Sequence, residues 1–137
     1  MVANKMTSYE TVTISGRSYG EEDILKEQDE YIRLECVDLC FALNILVNDE
    51  SALVRAAVAR KKVGHEILIN DSNWRVRATV AKYCDDKRLL DALINDENDY
   101  VRFIVVKRGH ALEQFVNDQD EEIASIARYS LQNQQTA

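Results

Sequence analysis

Arginine and aspartate recur at fixed places along the chain, where they could serve as active-site charges or as structural ion pairs. In the stretch NDSNWRVRATVA, from Asn70 to Ala81, Arg77 stands between apolar residues. The recurring residues are Arg33, Arg55, Arg77 and Arg102 at one position and Asp49, Asp71, Asp96 and Asp118 at another. A guanidinium group suits bidentate pairing with a carboxylate, and a half-buried arginine without a partner is costly. A row of identical pairs therefore predicts a structural ladder rather than a catalytic site.

The cysteines and histidines predict neither a metal site nor a catalytic nucleophile. The chain has three cysteines, Cys36, Cys40 and Cys84. Their odd number and the absence of a CxxC pair do not fit a secreted disulfide framework. His65 and His110 are far apart in the sequence, and the chain has no glycine-rich phosphate loop, nucleophile elbow or HExxH motif. We therefore expect reduced cysteines, no metal, no cofactor, no small-molecule substrate and no enzymatic activity.

The composition is typical of a helical protein that can bury a core. The chain has 137 residues, of which 46% are hydrophobic, and it contains four glycines and no proline. Its formal net charge of −7 and pI near 4.8 oppose non-specific binding to nucleic acid or anionic lipid. No apolar run reaches the roughly 18 residues of a membrane span, and the start MVANKMTSYE lacks the apolar centre of a signal peptide. We expect an all-α, soluble, cytoplasmic protein that does not bind membranes.

The motif that carries the arginines and aspartates recurs along the chain with the same internal spacing. Its clear copies are NDESALVRAAVA, NDSNWRVRATVA, NDENDYVRFIVV and NDQDEEIASIAR, and a degenerate copy begins near Lys26. The five repeats start near Lys26, Asn48, Asn70, Asn95 and Asn117, in steps of 22, 22, 25 and 22 residues. Such self-similarity is the mark of a repeat architecture.

Each repeat predicts two helical segments. In repeat 3, Val76, Val80 and Ala81 fall at i, i+4 and i+5, which places them on one face of a helix of about three turns. A second apolar group precedes each following Asn-Asp pair and predicts a shorter helix or a single turn. We expect Asp71 or Asn70 to be the N-cap of the longer helix, because its side-chain oxygen can accept a free backbone N–H.

The pattern D-x-x-x-x-V-R-x-x-V-A followed by L-L-x-x-L-x-x-D resembles the leucine-rich repeat variant family, whose short units are similar in style to HEAT repeats. The resemblance covers about residues 26–129 and is most specific in the three repeats that keep Val-Arg. It implies a right-handed α-solenoid of about five HEAT-like repeats, 22–25 residues long, in which α-helices alternate with 3₁₀-type turns. The connecting prolines of many members and the clustered cysteines of an iron–sulphur cluster are absent from this sequence.

The two ends of the chain depart from the repeat. The segment TVTISGRSY alternates β-forming residues, and Ser18 with Glu21 fits a capping box that would start the first helix. Residues 1–20 are therefore expected to form a short strand or extended arm that caps a solenoid at residues 21–131. In repeat 5, Ala124 replaces the arginine, and the last residues, 132–137, predict a flexible tail. Degenerate end repeats are typical of a capped solenoid.

Aromatic residues on the predicted solvent side of the longer helices are the candidate binding residues. They are Tyr100 and Phe103 in repeat 4 and Tyr31 in repeat 1; in repeat 3 the solvent-facing position is Arg75, and Trp74 lies one position earlier. In the family these helices line a concave face, and aromatic side chains dominate interface hot spots. We expect these five residues to contact a protein partner. Packing against neighbouring repeats or the N-terminal arm explains the aromatic residues equally well.

Charge is sorted within each repeat, with acidic residues at the predicted helix starts and basic residues at the helix ends. This sorting complements the helix dipoles, at about 0.3–1 kcal/mol per charge. In a solenoid the basic residues would also form a row able to contact nucleic acid or an acidic protein surface. The row comprises Arg60, Lys61, Lys82, Lys107 and Arg108.

The sequence thus predicts a non-enzymatic module that binds a protein partner on its concave face. Small size, acidic charge and the lack of catalytic motifs motivate a sharper version, an inhibitor or immunity-type protein that occupies the basic groove of a nucleic-acid-processing enzyme. The alternative is a HEAT-like protein that binds nucleic acid through its basic row, although the net charge of −7 disfavours that function.

Overall fold

The computed structural model describes residues 10–136, with side chains from residue 10 to residue 134. The described chain is mainly helical, with ten helices and one two-stranded antiparallel sheet. Its described residues divide into two compact units, unit 1 up to residue 64 and unit 2 from residue 65. The division falls inside the region predicted as one solenoid. In the described part of the chain, no helix combines the length and apolar character that crossing a membrane requires.

Unit 1 begins with a β-hairpin made of β1 (Thr11–Ile14) and β2 (Arg17–Gly20). The connecting residues Ser15 and Gly16 have φ angles of 52° and 82°, as a two-residue type I′ turn requires. Ile14 and Tyr19 are buried, and the hairpin packs against α1 (Glu21–Lys26) and α2 (Glu30–Asp38). Residues 10–20 of the predicted arm therefore form a hairpin, and residues 1–9 lie outside the described part of the chain.

The first helix does not begin with the predicted capping box. Ser18 lies within β2, where it pairs with Thr13. It is therefore too far from the first residue of the helix for its hydroxyl group to cap that helix. Gly20 is the N-cap of α1 instead, and its N–H donates to the Asp23 carboxylate at 2.7 Å. The prediction from Ser18 and Glu21 was wrong because the hairpin extends up to the first helical residue.

Long and short helices alternate along the rest of the chain. Unit 1 continues with α3 (Leu43–Leu46) and α4 (Ala52–Arg60). Unit 2 contains α5 (His65–Leu68), α6 (Trp74–Tyr83), α7 (Lys87–Ala92), α8 (Asp99–Lys107), α9 (Leu112–Phe115) and α10 (Glu121–Thr136). The long helices α2, α4, α6, α8 and α10 begin the five predicted repeats. Because α10 continues through Thr136, it covers most of the segment predicted as a flexible tail.

The short helices are α-helices of four residues, or six in α7, and not the 3₁₀-type turns implied by the family resemblance. In α3, Leu46 N–H donates to the Ala42 carbonyl and Val47 N–H to that of Leu43, both at 3.0 Å and four residues apart. Ala42 and Ala111, which precede α3 and α9, have left-handed φ angles of 61° and 55°. These residues turn the chain sharply between a long helix and the short helix that follows.

The apolar positions of the repeat form the core of each unit. Six valines of α4, α6 and α8 are fully buried, namely Val54, Val58, Val76, Val80, Val101 and Val105. Cys36 aligns with this set and is also fully buried. Each short helix, or the residue that follows it, adds one large side chain at most 2% exposed, at Leu46, Leu68, Leu93 and Phe115. The structure confirms the apolar helix faces predicted from the spacing of these residues.

Candidate functional site

The recurring arginines join one repeat to the next within each unit. In unit 1, Arg33 donates from Nε and Nη2 to the Asp49 carboxylate, at 2.8 and 3.2 Å. In unit 2, Arg77 contacts Asp96 in the same bidentate way, at 2.8 and 3.0 Å. Arg102 donates likewise to Asp118, at 3.0 and 3.2 Å. In these three pairs each arginine holds the aspartate of the following repeat.

The same arginines also bind the backbone of their own repeat. The Nη1 group of Arg77 donates to the carbonyl six residues earlier, that of Asp71, at 2.7 Å. Arg33, Arg55 and Arg102 make the equivalent contact. The hydrogen bond to Asp49 raises the pKa of Arg33, and that to Asp96 raises the pKa of Arg77, so both guanidinium groups stay protonated. Their hydrogen bonds to carboxylates and carbonyls give these arginines a structural role.

The recurring aspartates hold the loops before α4, α6, α8 and α10, and the predicted N-cap was therefore wrong. The Asp71 carboxylate accepts the N–H of Asn73 at 2.9 Å, and Asn73 is the N-cap of α6. Its side-chain oxygen accepts the N–H of Arg75 at 2.8 Å. Asp71 lies two residues too early to cap the helix. In unit 2 the carboxylates of the equivalent Asp96 and Asp118 have two kinds of donor. Each accepts a hydrogen bond from the backbone N–H two residues later and another from an arginine side chain.

Three aromatic rings lie in contact along α6 and α8 and form the aromatic stripe, which comprises Trp74, Tyr100 and Phe103. The Trp74 and Tyr100 ring centroids are 5.7 Å apart in an edge-to-face arrangement, and those of Tyr100 and Phe103 are 5.9 Å apart and stacked. Tyr100 is 48% exposed, whereas Trp74 and Phe103 are half-buried. Packing between neighbouring repeats thus accounts for part of the stripe, and Tyr100 remains about half exposed to solvent.

Two basic side chains lie against the rings at the ends of the aromatic stripe. The Arg75 guanidinium carbon is 4.6 Å from the Trp74 ring centroid, and the Lys107 ammonium nitrogen is 6.0 Å from that of Phe103. Both distances suit cation–π attraction. The structure therefore brings together four of the five residues predicted to contact a partner. The fifth, Tyr31, lies on α2 in unit 1 and is 60% exposed.

A cleft of about 270 Å³ adjoins the aromatic stripe, between α8 and the start of α10. Its lining combines three carboxylates with apolar side chains, namely Asp99, Asp120, Glu122, Tyr100, Phe103 and Ile123. The cleft was not predicted from the sequence, in which its acidic residues were placed at helix starts but not beside the aromatic rings. The available signal was that Glu122 occupies in repeat 5 the position that Tyr100 occupies in repeat 4.

The residues of the predicted basic row differ in their surroundings. In unit 2, Arg108 donates from Nη1 to the Ala81 and Cys84 carbonyls, at 2.9 and 2.5 Å, and so holds the carboxyl end of α6. Lys82 lies against the Tyr83 ring at 5.7 Å. In unit 1, Lys61 donates to the Asp38 carbonyl at 3.4 Å, and Arg60 is exposed at the end of α4. The Arg108 guanidinium therefore serves the fold.

The histidines lie in separate surroundings in unit 2. His65 is buried at the start of α5, whereas the ring of His110 lies 2.6 Å from an Asp91 carboxylate oxygen. Among the residues that the structure describes, no three His, Cys, Asp or Glu side chains are placed to hold a metal ion.

The three thiols should differ sharply in reactivity. Burial raises the pKa of the Cys36 thiol to about 11 and also raises that of Cys84, whereas Cys40 is exposed. Because the thiolate is the reactive form, iodoacetamide at about pH 8 should alkylate Cys40 and leave Cys36 and Cys84 unmodified in the native protein. Peptide mapping by mass spectrometry measures this, and the denatured protein should take three labels. Rapid labelling of Cys36 in the native protein would contradict the burial of this thiol.

Comparison of the chain with protein-family models, with curated proteins and with solved structures found no match. The resemblance to the leucine-rich repeat variant family therefore stays a prediction from the motif of residues 26–129.

Proposed function

We propose that the chain is a non-enzymatic module that binds another protein through the aromatic stripe of unit 2. The observation that carries this proposal is the position of Tyr100, which is 48% exposed and lies in contact with two neighbouring rings. A tyrosine held in this way offers apolar area and a hydroxyl group at a small entropic cost. Rings of this kind concentrate the binding energy of protein interfaces.

Charge along unit 2 would set the orientation of the partner. Arg75 lies over the Trp74 ring at one end of the aromatic stripe, and Glu122 lines the cleft that Tyr100 and Phe103 also line. A partner with the complementary arrangement would bind in one direction, because opposite charges attract and like charges repel across an interface. With a net charge of −7, the chain favours a basic partner surface. The sharper form of the proposal is an inhibitor or immunity-type protein that occupies the basic groove of a nucleic-acid-processing enzyme.

The proposal includes a right-handed α-solenoid in which the five repeats stack and present their long helices on a concave face. Support comes from the alternation of long and short helices and from the arginine–aspartate contacts between successive repeats within each unit. Stacked repeats of this type bury a continuous core and create extended binding surfaces. The hairpin would cap the first repeat. We also place the protein in the cytoplasm, a location that the three free cysteines support.

Affinity capture from a lysate of the source organism tests the protein-binding function. The immobilised chain should retain a stoichiometric protein partner, and the double variant Tyr100→Ala/Phe103→Ala should weaken retention by at least about 30-fold, since a hot-spot residue contributes about 2 kcal/mol. Tyr129→Ala is the matched control, because Tyr129 lies outside the aromatic stripe and is 67% exposed. Equal retention by the double variant would contradict the proposal.

Nucleic-acid binding is the competing outcome, and the surroundings of the basic residues disfavour it. Arg108 is bound to carbonyl groups, and Lys107 lies against a ring of the aromatic stripe. An electrophoretic shift of duplex DNA at roughly 150 mM salt, lost in the variant Lys82→Glu/Lys107→Glu, would favour nucleic acid as the ligand. We expect no shift.

A further inference from the structure

We propose that the cleft between α8 and α10 receives the guanidinium group of an arginine from the protein partner. The inference rests on the proposed function and names the chemistry by which the partner is recognised. The occupant is one arginine side chain within a basic segment of that partner.

The apolar lining of the cleft suits a flat cation. The Tyr100 and Phe103 rings lie with centroids 5.9 Å apart and planes inclined by 20°, and Ile123 is buried beside them. Guanidinium groups are planar and weakly hydrated, so they stack on such rings at a lower desolvation cost than an ammonium group. The volume of about 270 Å³ accommodates one long side chain.

The carboxylates of the cleft supply the complementary charge. Asp99 and Glu122 are exposed, and the Asp120 carboxylate accepts the N–H groups of Glu122 and Ile123 at 2.9 and 3.2 Å. Within residues 10–134, no lysine or arginine forms an ion pair with any of these three carboxylates. Helix dipoles explain why acidic residues are tolerated at the starts of α8 and α10. They do not explain why the carboxylates line a cleft together with the exposed Tyr100 ring.

The chain already contains the two interactions expected of the partner's arginine, a cation over an aromatic ring and a bidentate pair with a carboxylate. Arg75 lies over the Trp74 ring and Lys107 lies near the Phe103 ring, whereas no cation of the described residues lies over Tyr100. Elsewhere in unit 2, Arg77 and Arg102 bind carboxylates in the bidentate manner. Among the residues that the structure describes, the cleft combines the Tyr100 ring, over which no cation lies, with carboxylates that have no basic partner. An arginine satisfies both, since its planar fork can stack and pair together.

Titration with peptides tests the cleft without knowledge of the partner. The probe is N-acetyl-tetra-arginine amide, and N-acetyl-tetra-citrulline amide is its neutral control of similar shape. In ¹H–¹⁵N NMR spectra of the full chain, the arginine peptide should shift the amide signals of residues 99–103 and 120–123 in a saturable way. The citrulline peptide should leave them in place. A tetra-lysine peptide should bind several-fold more weakly, because an ammonium group cannot form the bidentate contact.

Two variants with the same net charge separate the cleft from general attraction to an acidic protein. Asp99→Asn/Glu122→Gln should weaken binding of the arginine peptide by about tenfold, as expected for the loss of charge-assisted hydrogen bonds. Glu66→Gln/Glu113→Gln alters two exposed carboxylates outside the cleft, and it should bind within about twofold of the unmodified chain. Equal weakening by both variants, or equal binding of the citrulline peptide, would overturn the inference. Equally tight binding of the lysine peptide would overturn the assignment of a guanidinium group.

The captured partner distinguishes a failure of this inference from a failure of the proposed function. Loss of the partner in Tyr100→Ala/Phe103→Ala with full retention in Asp99→Asn/Glu122→Gln would leave the aromatic stripe as the binding surface and reject the arginine cleft. Loss of the partner in both double variants supports both proposals. Retention in both would reject the proposed function, whatever the peptides do. Thermal melting of each variant checks that the fold is intact.

Discussion

Replacement of Arg77 by alanine is expected to lower the free energy of unfolding by about 3 kcal/mol, because it leaves a buried carboxylate without its partner. The side chain of Arg77 is 11% exposed and that of Asp96 is 7% exposed, so water cannot replace the lost guanidinium group fully. The Asp71 carbonyl would lose its donor as well. Urea denaturation followed by the fluorescence of Trp74, the single tryptophan, measures the change. Partner capture through the aromatic stripe should persist at temperatures where the variant is folded.

An exposed ion pair in the same unit provides the control for Arg77. Arg88 pairs with Asp86 at 3.0 Å, but its side chain is 89% exposed. Arg88→Ala should therefore leave the melting temperature almost unchanged, since solvent screens such a pair. The variant Arg77→Met/Asp96→Leu should recover part of the lost stability, because an apolar pair leaves no buried charge behind. An unchanged melting temperature together with loss of the partner in Arg77→Ala would give Arg77 a functional role and contradict the ladder.

Replacement of Phe115 by alanine should lower the free energy of unfolding by about 3–5 kcal/mol. Phe115 is 1% exposed in α9, and this short helix packs against α10. Deleting the ring would remove its apolar contacts and leave a cavity that rigid neighbouring helices cannot fill. Urea denaturation of the full chain, followed by the fluorescence of Trp74 in unit 2 and by helical circular dichroism, measures the loss.

Neighbouring substitutions show whether the loss at Phe115 reflects the cavity. Phe115→Leu should cost less than the alanine variant, because leucine is the residue at the equivalent positions Leu46 and Leu68 and fills part of the space. Gln114→Ala changes the adjacent exposed residue and should have almost no effect. Equal losses for the leucine and alanine variants would mean that shape at this position, and not volume, controls the stability of the short helix.

The spacing of apolar residues was sufficient to predict the helix faces. Val76, Val80 and Ala81 recur at the helical period in repeat 3, and each is fully buried. The period determines which side chains share a face, and the face with no polar residue must pack inward. Long-range information was not needed for this step. The same holds for the pairing of recurring arginines with recurring aspartates, although the sequence did not show that the aspartate belongs to the following repeat.

Local sequence could not decide the helix starts. The stretch NDSN in repeat 3 offers several side chains able to cap, and propensity alone does not rank them. The contacts of Asp71 select Asn73 as the cap, since the Asp71 carboxylate already binds the backbone two residues ahead. The capping box at Ser18 failed for a related reason, because hairpin pairing over β2 outweighed a local capping preference.

The cleft could not be predicted from local sequence patterns, because it forms between two segments that are distant in the sequence. Asp99 and Glu122 belong to different repeats, and their approach follows from the packing of α8 against α10. Extending the position of Tyr100 into repeat 5 leads to Glu122, but the alignment does not show how closely Asp99 and Glu122 approach. The left-handed residues at Ala42 and Ala111 were also invisible to propensity, since alanine rarely adopts that conformation.

Hydrogen–deuterium exchange of the chain alone and bound to its captured partner tests the central claim most directly. The account predicts that binding slows exchange in peptides from the long helices of unit 2 that carry the aromatic stripe, at residues 74–83 and 99–107, and at the start of α10. The loops that hold the ladder aspartates should exchange at an unchanged rate. Protection confined to unit 1, or to those loops with none along the aromatic stripe, would contradict the account.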